Sequence, residues 1–409
     1  RATLMQHIGD RIREYRMLRG MTQEELAETA GMHPNTIRKI EQGGTARMDT
    51  LHRIARVLRV TTGSLISGQP ARILRHGDDG KLDLLETRRA ISPPVRLDGR
   101  PILDDDTEPD LDALRDAAVR LDAAYHGDRY TDLATIVPRL ITSAHAAVAH
   151  HQHTPREAEA RRLRAIVLQI GARYLTQVRA YDLAHMALTE SVRDAAASGD
   201  EMVAAASVTG QAWVLIRQGR LDDAERLSAL TAAEVEPRMS TATDEQLAAW
   251  GWLLLRASAA AARNNRPDES SEALALARTA AARLGREVYH DMRGWGAFGP
   301  LTVELRVVEA ELVADRPDRV LALSERLPQV RGRTSSDSWH RHQLDVAEAY
   351  ARMRKDAEAT QILTSLRREA PAWLRHQRMA QETLTTVVSR RKRALTKEQR
   401  ALVELFGAA

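Results

Sequence analysis

Apolar residues recur at helical spacing from the first turns of the chain. Ile8, Ile12, Tyr15 and Leu18 fall on one face of a first helix. Leu26, Ala27, Ala30, Ile37 and Ile40 fall on two short helices facing one small core, and Met48, Leu51, Ile54, Ala55 and Leu58 on a fourth helix. Val60, Leu65 and Ile66 complete that core. The polar punctuation agrees. Thr22 is an N-cap and Glu25, three residues on, completes a capping box. Gly31 ends that helix, because glycine tolerates the left-handed geometry of a helix stop. His33-Pro34 starts the next, where proline at the first helical position loses no useful N–H.

Two short helices joined by a glycine turn, the second turning polar residues outward, form a helix-turn-helix. Residues 68–109 have looser patterning, with turn signals at Gly77-Asp78-Asp79-Gly80, Ser92-Pro93-Pro94 and Asp104-Asp105-Asp106, and one short helical stretch from Leu82 to Ala90. From residue 110 the helical pattern is nearly continuous and repeats weakly. Gln218-Gly219-Arg220-Leu221-Asp222-Asp223-Ala224 is the clearest unit. The repeat centres read as Leu133, Ala184, Ala224, Ala273, Val320 and Ala359, at intervals of 51, 40, 49, 47 and 39 residues. No such unit buries its apolar face alone; stacking gives a shared core and a concave surface. Thr396-Lys397-Glu398-Gln399 is a capping box that opens a last helix to Leu405. The organisation expected is a DNA-binding module at 1–68, a linker at 69–109 and a helical array at 110–409.

Composition narrows the class. Aromatics are 4% of the 409 residues, and cysteine is absent. A large sheet, a disulfide framework and a thiolate metal site are thereby excluded. No apolar run approaches the roughly 18 residues of a membrane span, and no signal peptide opens the chain, so a cytoplasmic location is expected. The net charge is +4. Residues 1–68 hold 11 Lys/Arg and 7 Asp/Glu, so the whole excess sits at the N-terminus, the end expected to meet a polyanion.

Met21-Thr22-Gln23-Glu24-Glu25-Leu26-Ala27, the Gly31 turn and Ile37-Arg38-Lys39-Ile40-Glu41-Gln42-Gly43 together resemble the XRE (Cro/repressor-like) helix-turn-helix family over about residues 4–68. That resemblance implies a lambda-repressor-like domain. Behind it, the all-α repeat region resembles a degenerate tetratricopeptide α-solenoid. The combination is similar to the actinobacterial XRE–tetratricopeptide regulators and, more distantly, to Gram-positive peptide-sensing receptors of the same plan.

On the recognition helix Ile37 and Ile40 point inward, so Asn35, Thr36, Arg38 and Lys39 point outward, with His33 at the amino end. Asparagine can bond an adenine edge bidentately, and Lys or Arg can bond guanine. The resemblance implies a phosphate contact for Gln23. Arg13, Arg16, Arg19, Arg47 and Arg53 are further backbone candidates, set against the reading that they are solvated or structural. One departure from the family is Pro34, where relatives often carry a polar reader.

In the array, Arg173, Gln177, Trp213, Arg217, Trp250 and Asn264 fall on inner-helix positions. The stretch Tyr289–Pro300 sets Trp295 and Phe298 among three glycines just before a helix, as a ligand-closing loop or as plugs for the core. His150-His151-Gln152-His153 lacks a completing acidic or cysteine ligand, so no metal is expected. No catalytic or nucleotide motif occurs, so neither enzyme activity nor a cofactor is expected. The function expected is a DNA-binding transcriptional regulator, a homodimer on a palindromic operator of double-stranded DNA, with a small-molecule or peptide effector in the array. The alternative is a protein-interaction scaffold localised by its DNA-binding module.

Overall fold

A computed structural model describes residues 8–44, 46, 48–60, 65, 84–97, 101–103, 109–328, 334–391 and 394–407. The described residues are all-α apart from one short hairpin, and the chain divides into two compact units. One comprises the chain up to residue 82 together with Tyr350 onward; the other runs from Asp83 to Ala349.

The first unit opens with α1 (Ile8–Leu18), α2 (Gln23–Thr29), α3 (Pro34–Glu41) and α4 (Met48–Leu58). Their core gathers Ile12, Leu26, Ala27, Ile37, Ile40, Leu51, Ile54, Ala55, Leu58, Val60 and Leu65, with Ile8 and Tyr15 packed against it. The expected core position Ile66 lies outside the described residues. Thr22 and Glu25 form the reciprocal capping box, and Gly31 takes the left-handed turn at φ 62° between α2 and α3. A second glycine matters for a different reason. Gly9 of α1 is buried against the end of α3, where a Cβ would overlap the Ile40 carbonyl oxygen and lie 2.9 Å from the Glu41 Cα. Backbone cannot yield as a side chain can. Gly9→Ala is therefore expected to cost about 1–3 kcal/mol, the usual penalty for overpacking, read as a lower urea midpoint; an unchanged midpoint would show that α1 slides freely on α3.

The second unit contains α5 (Leu85–Ile91), α6 (Leu111–His126), α7 (Tyr130–His151), α8 (Glu157–Gln177), α9 (Tyr181–Ser198), α10 (Glu201–Arg217), α11 (Leu221–Glu234), α12 (Asp244–Arg263), α13 (Pro267–Leu284), α14 (Pro300–Val313), α15 (Pro317–Ser324) and most of α16 (Ser336–Arg352). Each of α6 to α14 packs on the next in sequence, and α6, α8, α10, α12 and α14 also pack successively on one another. That pattern makes two layers, with the even-numbered helices inside. It is the tetratricopeptide-like arrangement of stacked antiparallel pairs.

The repeat is sharpest in its turns. Asp128, Arg179, Gly219, Asn265, Asp315 and Arg354 all have positive φ, and each stands two residues before an outer-layer helix or its counterpart. The residue after each donates its N–H to a carbonyl five residues back, as in Arg129 to Ala124, Arg220 to Leu215 and Lys355 to Tyr350. This is the Schellman stop, reused throughout. Five residues past each turn sits a buried Leu133, Ala184, Ala224, Ser270, Val320 or Ala359. The fourth centre is therefore Ser270 rather than Ala273, and the intervals become 51, 40, 46, 50 and 39 residues. The sequence reading slipped by one helical turn because Ala273 is also buried, on the same face of α13.

After α13, β1 (Val288–Tyr289) pairs antiparallel with β2 (Ala297–Phe298). The first unit is completed by α17 (Asp356–Glu369), α18 (Pro371–Leu374), α19 (Arg378–Ser389) and α20 (Lys397–Gly407). Thr396 and Gln399 form the expected reciprocal cap of α20. Helix α19 packs on α1, and Arg19 donates to the Gly407 carbonyl at 3.1 Å, so the C-terminal helices and the helix-turn-helix share a compact body. Among the described residues no helix is long and apolar enough to cross a membrane.

Candidate functional site

The short helix α3 is fixed at its amino end. His33 caps it, its Nδ1 accepting the Asn35 N–H at 3.2 Å, and Pro34 occupies the first helical position. Ile37 and Ile40 bury completely or nearly so. Asn35, Arg38, Lys39 and His33 are exposed, and Thr36 is half-buried. Arg38 reaches Asn35 Oδ1 at 3.3 Å and Glu24 at 3.4 Å, long bonds between exposed groups that yield readily to a better acceptor.

Several other basic residues are engaged by the protein itself. Arg16 holds Glu41 with two bonds of 2.6 and 3.0 Å and also donates to the Met21 carbonyl at 2.8 Å. Gln23 donates to the same Glu41 carboxylate at 2.6 Å. Glu41 is nearly buried, so this knot ties α1, the start of α2 and the end of α3 together. Arg53 closes on the carbonyls of Ala30 and Gly31 at the turn, and Arg19 on that of Leu58. Arg16, Arg19 and Arg53 are structural clamps here. Arg13 is exposed, and Arg47 lies outside the described residues.

A cavity of about 410 Å³ opens beside the α2 N-terminus, lined by Arg13, Arg16, Thr22, Gln23, Arg391 and Leu395 among others. Arg391, which follows the end of α19, thus lines the same cavity as Gln23. Its neighbour Arg390 is bound to the Ala351 carbonyl and Asp356, while Lys392 and Arg393 lie outside the described residues.

In the second unit the inner helices bring Arg173, Trp213 and Arg217 near one another. The Arg217 guanidinium lies 5.7 Å from the Trp213 ring centre. Arg173 is buried and donates to the Ala206 carbonyl at 2.9 Å and Thr209 Oγ1 at 2.8 Å. Gln177 bonds the buried Tyr125. Asn264 is elsewhere: it ends α12 and donates to Asp222 at 2.8 Å. Trp250, Trp295 and Phe298 lie in the hydrophobic core around α12 and α14.

The hairpin that carries the last two is anchored. Tyr289 donates to Asp122 at 2.7 Å, as does the Met292 N–H at 3.1 Å. The α14 N-terminus is not open to a ligand, because Glu287 accepts the N–H groups of Leu301 and Thr302 and the Thr302 hydroxyl.

The residues the sequence reading missed stand beside those it chose. Arg256 of α12 lies 4.6 Å from the Trp213 ring centre and 5.2 Å from that of Trp252, and Arg306 of α14 is 5.9 Å from Trp252. The signal was present in the sequence. Trp213–Arg217 and Trp252–Arg256 are the same pair at four-residue spacing on successive inner helices, which puts each arginine on its own indole. Among the described residues no group of three His, Asp or Glu side chains could hold a metal ion.

A helix-turn-helix family model matches residues 12–65 of the chain. No curated protein matches the sequence. Among solved structures, the crystal structure of Bacillus thuringiensis PlcR in complex with the peptide PapR7 and DNA is similar, with 14% identity and a TM-score of 0.36 over 78% of this chain and 95% of that one.

Proposed function

We propose that this protein is a sequence-specific transcriptional regulator that acts by binding rather than catalysis. Its module at residues 1–68 reads a palindromic operator as a homodimer, and the array beginning near residue 110 senses a small molecule or peptide. The linker of residues 69–109 joins the two. The observation that carries this reading is α3, whose isoleucines are buried in the module core while Asn35, Arg38 and Lys39 are exposed. Such a helix enters the major groove with its amino-terminal residues at the base edges. Gln23 and the α2 N-terminus would meet a phosphate, with Arg13, Thr36 and Arg47 as further contacts; one Gln23 N–H is already held by Glu41. His33 serves both as cap and as an exposed polar group at the groove entrance.

An effector can act only through unequal affinity for DNA-competent and incompetent forms. The sharing of one compact body by the helix-turn-helix and α17–α20 gives the C-terminal end of the array a direct mechanical stake in that choice. The plan is that of the actinobacterial XRE–tetratricopeptide regulators, a kinship resting on architecture and on the Ala/Arg-rich array.

Selection of random duplexes by the purified full-length protein at fixed low salt tests the reading. A two-fold symmetric motif is expected, its half-sites about 10 base pairs or 34–36 Å apart. Failure to enrich any duplex would refute it.

A further inference from the structure

Arg256 is in an unusual position for an arginine. Its partly buried side chain lies over two indole rings of the array, and among the described residues no carboxylate, carbonyl or hydroxyl accepts its N–H groups; its Nε is wholly buried without a partner. The nearest formal charges make matters worse. Burial first, then repulsion from Arg173 and Arg306, pulls its pKa down to about 9. Glu309, the closest carboxylate to influence it, already holds Arg263 at 2.5 Å and Arg306 at 2.7 Å. Arg306 likewise keeps a buried Nε with no acceptor. Among the described residues Arg217 is seen against the Trp213 ring.

A guanidinium with a buried N–H that no group accepts is unfavourable, and such a group calls for an explanation. The stacking engages the guanidinium faces and leaves the in-plane N–H edges, the geometry that takes two oxygens of one oxyanion. We infer that the interior of the array binds an organic anion through a carboxylate or phosphoryl end seated on the Arg256 guanidinium, with Arg173, Arg217 and Arg306 supplying the surrounding positive field. This rests on the sensor reading above and gives its effector a charge and an anchoring residue.

The test uses the full-length protein with benzoate, phenyl phosphate and the neutral isostere benzamide, followed by indole fluorescence and by the thermal midpoint. At least one anion should bind saturably about tenfold or more tighter than benzamide, and the tighter of the two separates a carboxylate from a phosphoryl ligand. Arg256→Gln should abolish that preference while melting no lower than wild type, since it removes an unpaired charge; a residue needed only for folding would lower the midpoint. Arg256→Lys should fall between, having charge without the planar fork. Equal binding of benzamide and both anions by the wild-type protein would overturn the proposal, and needs no variant. So would an Arg256→Gln protein that keeps the full anion preference. Operator affinity measured in the same samples separates the two ideas. Anion preference without any change in DNA binding keeps this site and ends the sensor reading. A DNA response to neutral compounds, without anion preference, does the reverse.

Discussion

Alanine at both Asn35 and Lys39 is expected to erase discrimination between the selected operator and a scrambled duplex while leaving the fold intact. Each bidentate base contact is worth about 1–3 kcal/mol, so the pair together accounts for roughly two orders of magnitude or more in specificity. Neither side chain supports the module. Both are exposed, and the cap of α3 depends on the His33 ring and the Asn35 backbone N–H, which alanine retains. The Asn35 Oδ1 bond from Arg38 is 3.3 Å long and solvent-exposed, so its loss changes stability little. Fluorescence anisotropy with both duplexes at one salt concentration measures the ratio directly, and the residual affinity should keep its salt dependence, because phosphate contacts remain. A double variant that still prefers its operator by the wild-type ratio would remove α3 from the reading head.

The helix-turn-helix was legible because its signals are local. A capping box, a glycine stop, a proline start and a one-sided apolar stripe all fall within 21 residues, and each reflects backbone hydrogen bonding that needs no distant partner. What the pattern could not give was the use of each arginine. Arg16 and Glu41 are 25 residues apart, and Arg53 finds the Ala30 carbonyl across 23, so only the fold decides that these guanidiniums are clamps. The array was legible as helices and only partly in register. Its repeated turn demands a left-handed residue, yet glycine fills that position only at Gly219, the unit that was easiest to see. Asp128, Arg179, Asn265, Asp315 and Arg354 fill it elsewhere, and the Asn265 unit is the one that slipped. Arg256 was invisible for a third reason. What marks it is a buried Nε without an acceptor over two indole rings, a property of its surroundings and not of its type.

The largest effect on stability is expected at Asp194. This buried carboxylate of α9 accepts Arg164 of α8 through both oxygens at 2.6 and 2.8 Å and Arg161 at 3.2 Å. Arg164 itself extends to Glu190 at 2.9 Å and to His145 of α7 at 3.2 Å, so one guanidinium joins three consecutive helices. Removing the carboxylate in Asp194→Ala leaves Arg164 buried beside a half-exposed glutamate and a neutral imidazole. Breaking such a pair from one side costs about 3–5 kcal/mol. Replacing both partners with apolar residues, as in Arg164→Met with Asp194→Leu, should recover most of it, because neither charge is then stranded.

The same knot sets a pH dependence. Burial first, and then the adjacent Arg164 charge, holds the His145 pKa down at about 4 against an ordinary 6.5. The unfolded chain therefore takes up a proton at pH values where the folded imidazole refuses it. His145 contributes its full stability above pH 6.5, and that contribution is lost progressively as the pH falls toward 4. The difference between the thermal midpoints of wild type and His145→Gln should shift in favour of the variant across this window and stay flat above it. Midpoints that run parallel from pH 7 to pH 4 would mean that the imidazole titrates as if it were in water and that Arg164 is not its neighbour in solution. A wild-type stability retained by Asp194→Ala would show that the inner and outer layers are held by apolar packing alone.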